Sequence, residues 1–307
     1  MSIPDSLQKK PNLKSQSRFK SIDWFSVFCV TPALVILVVF LVLFFDGVYQ
    51  SFTDLKFGNP TTRFVGLKNY IYLLKSSLFW TNLSVTLIYA TCAVFLEALT
   101  GLALAKLFAT DVLLARWFRP IVLLPLVLPP ISVALMWTTM MNPQAGVLNY
   151  LLALVGLGPL NWLSSEQTAL VSVILIDLWT FTPFFTLIIF AGLQGITDDI
   201  REAARINGAK SWAIFTKIEF PLIAPYILVA ALFRMIESLT QFDIIFGTTQ
   251  GGPGEATSVL SVQGYITAFQ NMNFGRGAAL MVLNWLVVLI VATCMAKAWL
   301  AVRKKVN

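Results

Sequence analysis

Apolar residues in this chain come in long unbroken runs separated by short polar connections, rather than at the spacing of helices lying on a soluble core. Trp24 to Phe45 is a stretch of 22 residues without a charge, and sixteen of them are Leu, Ile, Val or Phe. At the centre of a bilayer such residues favour insertion by about −7 kcal/mol in sum. The run exceeds the apolar core of a cleaved leader and no A-x-A site follows it, so it is read as an anchor that stays. Five further runs are predicted as membrane helices: 79–105, 121–141, 168–193, 226–246 and 277–296. Each is long enough to cross about 30 Å of hydrocarbon at 1.5 Å per residue. The expectation is an all-α membrane protein of six transmembrane helices spanning 24–300, with a basic tail at 1–23 and a short tail at 301–307. The longest connection has 33 residues, too few for an appended domain.

Composition agrees with the runs. Of 307 residues 57% are hydrophobic and 12% charged, half the charge of an ordinary soluble domain. Histidine is absent, which removes imidazole metal sites and His-based triads. Cys29, Cys92 and Cys294 lie scattered in apolar runs, unlike a disulfide framework or a zinc ribbon. No G-x-x-x-x-G-K-[ST] occurs, so any ATP used must be bound by another subunit.

The net charge of +7 is explained by topology. With six spans, sixteen Lys and Arg fall on the side of the termini and five on the other, over connections of similar total length. Positive residues mark the cytoplasmic side, so both termini are expected there and no nucleic-acid partner is needed.

Ionisable residues within the runs are expensive and therefore informative. They are Glu97, Asp177, Arg234, Glu237 and Asp243. In the fifth run each charge costs about 2.5–3.5 kcal/mol at the bilayer centre, so this helix cannot face lipid all round. Arg234, Glu237 and Gln241 fall at i, i+3 and i+7, on one stripe. Arg234, Asp177 and Glu97 each sit nine residues into a span, about 13 Å deep. Two readings stay open: a polar lining of a transport pathway near the midplane, or an internal ion pair that only holds helices together. Pro125, Pro129, Pro130 and Pro183 are expected to break spans, freeing carbonyls that protein or a water-filled cavity must satisfy.

The cytoplasmic connection 194–225 has its own design. Thr197, Asp198 and Asp199 suit a helix start, and Glu202 stands at capping-box spacing from Asp199. Gly208 can take a positive φ to end that helix, and a second short helix over 210–218 is expected to stop before Pro221. Small residues at 203, 204, 208 and 209 let another surface approach closely. A hairpin lying on lipid is the other physical reading.

The segment EAARINGAKSWAIFTKIEFPLIAP, Glu202 to Pro225, resembles the EAA loop of ABC importer permeases: EAA, three residues, G, nine residues, I, one residue, L-P. Glu202, Ala203, Ala204, Gly208, Ile218 and Pro221 match, while Asn207 stands for the usual Asp and Phe220 for the usual Leu. FVGLKNY at 64–70 and FDIIFGTTQGGPGEATSVL at 242–260 resemble outer segments of carbohydrate-uptake permeases of the maltose and glycerol-phosphate type. The resemblance, covering about 31–300, implies the type I ABC importer permease fold in a bacterial or archaeal inner membrane. It implies a second six-span permease, a pair of ATPase subunits holding ATP and Mg, and an extracytoplasmic solute-binding protein. It makes 194–225 the coupling element, with Glu202 in polar contact with the ATPase and Gly208 at the turn. It leaves open which residues meet a sugar, oligosaccharide or polyol; Arg234, Glu237, Gln241, Asp177 and Glu97 are candidates on their own chemistry. A secondary transporter using the buried carboxylates as proton sites would leave the loop motif unexplained, and a noncatalytic scaffold or insertase subunit would make the five buried charges an unnecessary expense.

Overall fold

The computed structural model describes residues 24–59, 61–110 and 113–306. The described residues are helical throughout, apart from an isolated antiparallel bridge between Thr53 and Phe64 and the connecting turns. Residues up to Gly47 form one unit and those from Val48 a second. The first holds most of α1 (Trp24–Ser51), an apolar helix with Pro32 inside it.

The elements of the second are α2 (Lys68–Lys75), α3 (Ser77–Phe108), α4 (Leu113–Leu123), α5 (Pro130–Met140), α6 (Val147–Leu154), α7 (Ala169–Gln194), α8 (Asp198–Ile206), α9 (Ser211–Ile214), α10 (Phe220–Leu239), α11 (Asp243–Thr248), α12 (Leu260–Tyr265) and α13 (Phe274–Val306). Among the described residues five helices are long and apolar enough to cross a bilayer: α1, α3, α7, the continuous helix Ser211–Leu239, and α13. A sixth is present if the bent pair 117–127 and 130–140 is one broken span.

That pair carries the break expected of Pro129 and Pro130 within 121–141. A 3-10 turn at Leu124–Val127 precedes the break, and the two halves meet at 104°. The cause is the Pro129–Pro130 pair. The ring of Pro130 bars Pro129 from helical geometry, and Pro129 sits at φ −59°, ψ 131° while Pro130 opens α5. Pro183, expected to break a span as well, does not: α7 runs through it. Thr180 and Thr186 on either side add hydroxyl bonds to the carbonyls of Ile176 and Thr182. Thr182 also meets Thr100 of α3 at 2.9 Å.

The core is built on α3 and α7. Buried Ala90, Ala93, Glu97, Gly101 and Ala105 recur every three or four residues along one face of α3. Between membrane helices there is no gain from hiding oil from water, so close packing and polar contacts must hold them. At Gly101 the two helices approach closely: a Cβ there would lie 2.5 Å from Cβ of Phe185. Phe185, Ile189 and Leu193 of α7 pack with Val94 and Ala105 of α3 and with Ile223 and Ala230 of α10 in one cluster.

The fifth span also differs from expectation. Its helix begins outside the apolar run and ends at Leu239, short of 246, so Asp243 is not inside a membrane helix; it opens α11 and is exposed. The carbonyls freed at this break are met by neighbours. Ser261 Oγ donates to Gln241 O at 2.5 Å, and Asn284 Nδ2 to Leu239 O at 3.4 Å.

Candidate functional site

Three helices carry charge into the core and bring it to one point. Arg234 on α10 extends its guanidinium to Glu97 on α3 as a fork, Nε to Oε2 at 2.8 Å and Nη2 to Oε1 at 2.9 Å. Nη2 also donates to Asp177 Oδ2 on α7 at 2.9 Å. Glu237, one turn along α10, brings Oε2 to 2.9 Å from Nη1. That last contact is ionic without hydrogen-bond alignment, because Nη1 has no bond of acceptable angle. Phe181 on α7 lies beneath the guanidinium, 3.8 Å from its carbon to the ring centroid. Gln241 Nε2 stands 3.5 Å from the second oxygen of Asp177, a weak contact at best.

All five residues proposed for the pathway therefore meet, but they are not equivalent. Arg234 is 1% exposed and Glu97 and Asp177 are 0%, whereas the side chain of Glu237 is 53% exposed. Glu97, Asp177 and Arg234 thus form a sealed knot, and in this conformation they do not line a water path. The internal ion pair anticipated between Arg234 and Glu237 exists, yet the strong partners of Arg234 are Glu97 and Asp177, far apart in sequence. Two carboxylates share one buried cation, with the third carboxylate reaching outward. Glu237 is the one member open to a ligand; Gln241, beside it on the stripe, is buried. Sequence reasoning missed Phe181, which spacing alone does not distinguish from any core aromatic.

The second constellation is the loop 194–225. α8 starts after Thr197, which makes no side-chain cap, and the Asp199–Glu202 capping box does not form. Asp198 and Asp199 lie in the first turn instead, where the helix dipole favours them. Glu202 and Ala203 are exposed and Ala204 half-buried. At the other end Gly208 takes φ +78°. Its N–H bonds Arg205 O at 2.9 Å and that of Ala209 bonds Ala204 O at 3.0 Å, the paired pattern of a Schellman stop. Ile206 and Trp212, 86% and 74% exposed, stand on either side of this turn.

The expected stop before Pro221 is overturned. α9 passes through a π-helical segment, Phe215–Glu219, directly into α10. Widening to i→i+5 bonds, as in Phe220 N to Phe215 O, makes room for a proline whose ring would clash with an α-helical turn behind it. Ile218 lies half-buried in that segment and Pro221 exposed in the first turn of α10.

Arg201, just before Glu202, ties the loop to the bundle. Nε donates to Glu219 Oε1 at 3.0 Å, Nη1 to Ile196 O at 3.0 Å, and Nη2 to Leu193 O at 3.1 Å. Lys106, in the last turn of α3, meets the other oxygen of Glu219 at 3.2 Å and sits 3.9 Å over the Phe215 ring. One arginine thus joins α8, the end of α7 and the base of α10, and one lysine adds α3.

Among the described residues, five apolar helices long enough to cross a bilayer, a sixth bent at a proline pair and a buried charge knot make a polytopic membrane protein. Residues 97–305 match the family described as binding-protein-dependent transport system inner membrane component. The chain belongs to that family. It is 40% identical over 276 residues to a probable ABC transporter permease of Sinorhizobium fredii, covering 89% of this chain and 87% of that one. It is 35% identical to the trehalose/maltose transport system permease of Thermococcus litoralis, covering 91% and 94%. Among solved structures it matches a chain of a bacterial alginate ABC transporter, crystallised in complex with an alginate pentasaccharide-bound periplasmic protein. The TM-score is 0.77 at 21% identity, over 89% of this chain and 93% of that one. The fold is that of type I ABC importer permeases, and the chain is a transporter component of the inner membrane rather than an enzyme.

Proposed function

We propose that this chain is a translocation subunit of an ABC importer for a carbohydrate or polyol. It works beside a second six-span permease, over two ATPase subunits that bind ATP and Mg, with both termini cytoplasmic; it holds no cofactor itself. An extracytoplasmic binding protein delivers the solute, and the lipid bilayer is the surrounding solvent. The observation that carries this reading is the loop 194–225: a short helix ended by a left-handed glycine, with Glu202, Ala203, Ile206 and Trp212 facing outward. Exposed Ile and Trp beside a basic membrane face call for a protein cover. The solute class is supported by the trehalose/maltose system of the Thermococcus relative, and by the alginate system that shares the fold.

Arg201 and Glu219 then transmit movement of α8 to α7, α10 and α3. The sealed Glu97–Asp177–Arg234 knot makes those helices move together, and Glu237 is the pathway residue. An exposed carboxylate accepts hydrogen bonds from sugar hydroxyls. Purifying the tagged chain gently from its own membranes tests the assignment. Retention of a second polytopic permease and a P-loop ATPase is expected; a chain that purifies alone and moves solute without ATP contradicts it.

A further inference from the structure

Away from the knot and the loop, a cavity of about 150 Å³ lies where the first turns of α3 and α13 meet α2 and the π-helical segment Ile266–Gln270 that follows α12. Its floor is apolar, made by Leu73, Phe79 and Leu280, which are buried in one cluster. Two polar side chains in it stand out. Asn82, six residues into α3, is 0% exposed, and neither its nitrogen nor its oxygen has a hydrogen-bond partner among the described residues. A buried carboxamide with no partner among the described residues is costly, so one that lines a cavity calls for a polar occupant. Arg276, three residues into α13, stacks 3.9 Å over the Tyr72 ring, and its Nε is likewise buried without a partner among the described residues. No carboxylate among the described residues lines the cavity. The charge they bring to it is the guanidinium alone, and Gln263 and Thr267 add neutral polar atoms.

We infer that this cavity binds the phosphate group of a membrane phospholipid. The guanidinium fork suits an oxyanion and a carboxamide N–H adds a second donor. The size admits one compact group and not an oligosaccharide. The position is at headgroup level: α3 and α13 both begin here, and Tyr72 and Trp80 are exposed beside it, as aromatic residues are at a membrane–water boundary. α2 exposes Ile71 and Leu74 and carries Lys68 and Lys75, the composition of a helix lying in the interface. A free phosphate ion has the same chemistry but would gain nothing from that apolar surround.

Native mass spectrometry of the purified complex decides between them. The complex is titrated with dioleoyl phosphatidylglycerol and, separately, with inorganic phosphate, using the wild-type chain, Arg276→Gln and Arg276→Lys. The wild type is expected to hold one more lipid per copy than Arg276→Gln, whose affinity for that lipid falls at least tenfold. Arg276→Lys, which keeps the charge but loses the fork and the stacking on Tyr72, is expected to bind between the two, and millimolar inorganic phosphate does not displace the lipid. Equal lipid retention by wild type and Arg276→Gln overturns the site, and displacement by inorganic phosphate overturns the lipid as its occupant. Should Arg276→Gln fail to assemble, Asn82→Leu, which replaces the amide by apolar bulk, carries the same expectation.

Discussion

Replacing Arg234 by methionine removes the cation from between two buried carboxylates. Three charge-assisted bonds disappear, from Nε and Nη2 to Glu97 and from Nη2 to Asp177. Each such bond contributes about 1.5–3 kcal/mol. Much of that is offset in the native protein by the cost of having desolvated the ions, but the variant leaves Glu97 and Asp177 desolvated with no cation to answer them. Breaking a buried pair on one side costs about 3–5 kcal/mol. For a chain of this size 1 kcal/mol corresponds to roughly 1.5 °C in unfolding temperature. Arg234→Met is therefore expected to lower the unfolding temperature of the purified complex by about 5–8 °C, or to prevent its recovery. Adding Glu97→Gln and Asp177→Asn removes the stranded charges and is expected to restore most of the loss, since neutral replacement of a whole buried network is often tolerated. Thermal unfolding of the three forms is the assay, monitored by intrinsic fluorescence in detergent. An Arg234→Met complex as stable as wild type, or a triple variant no better than the single one, would refute the knot as the tie between α3, α7 and α10.

Glu237→Gln separates pathway from scaffold: its carboxylate is half exposed and outside the sealed pair, so uptake is expected to fall several-fold with complex yield unchanged. Equal losses of both would return Glu237 to the knot. Gly208→Val is expected to abolish transport while the spans stay inserted, because a β-branched residue at φ +78° is strained by more than about 1 kcal/mol even though nothing lies within 4 Å of the site. Normal uptake would sink the role of this turn. Glu219→Gln removes the charge shared by Arg201 and Lys106 and is expected to leave ATP hydrolysis running with less uptake per ATP, measured as the ratio of the two rates in proteoliposomes. An unchanged ratio would deny that the link transmits movement.

Much of this architecture is legible from the chain. Apolar runs mark the helices because a bilayer punishes every interruption, and the Pro129–Pro130 pair marks the sharpest bend. Pro183 misleads for a physical reason: whether a proline breaks a membrane helix depends on the bundle packed around it, which local sequence does not reveal. Pro221 misleads in the same way, since a π-helical turn upstream can absorb it. The knot is half legible. Equal depths of nine residues put Glu97, Asp177 and Arg234 at one level, but which of them meet depends on how α3 and α7 face α10. The i, i+3 spacing draws attention to Arg234–Glu237, the most exposed of the pairs. The turn at Gly208 is readable because a left-handed stop is a local event, whereas the clamp made by Arg201 joins Leu193, Ile196 and Glu219 only after the chain has turned back.

If the loop 194–225 is seated on an ATPase, a photo-activated cross-linking residue placed at Ala203, on the exposed face of α8, will report it in native membranes. The expected product is a single adduct between this chain and a P-loop ATPase, with a yield that changes when ATP is added. Cross-links to lipid alone, or an adduct with some other protein and no ATPase, would contradict the coupling role of the loop.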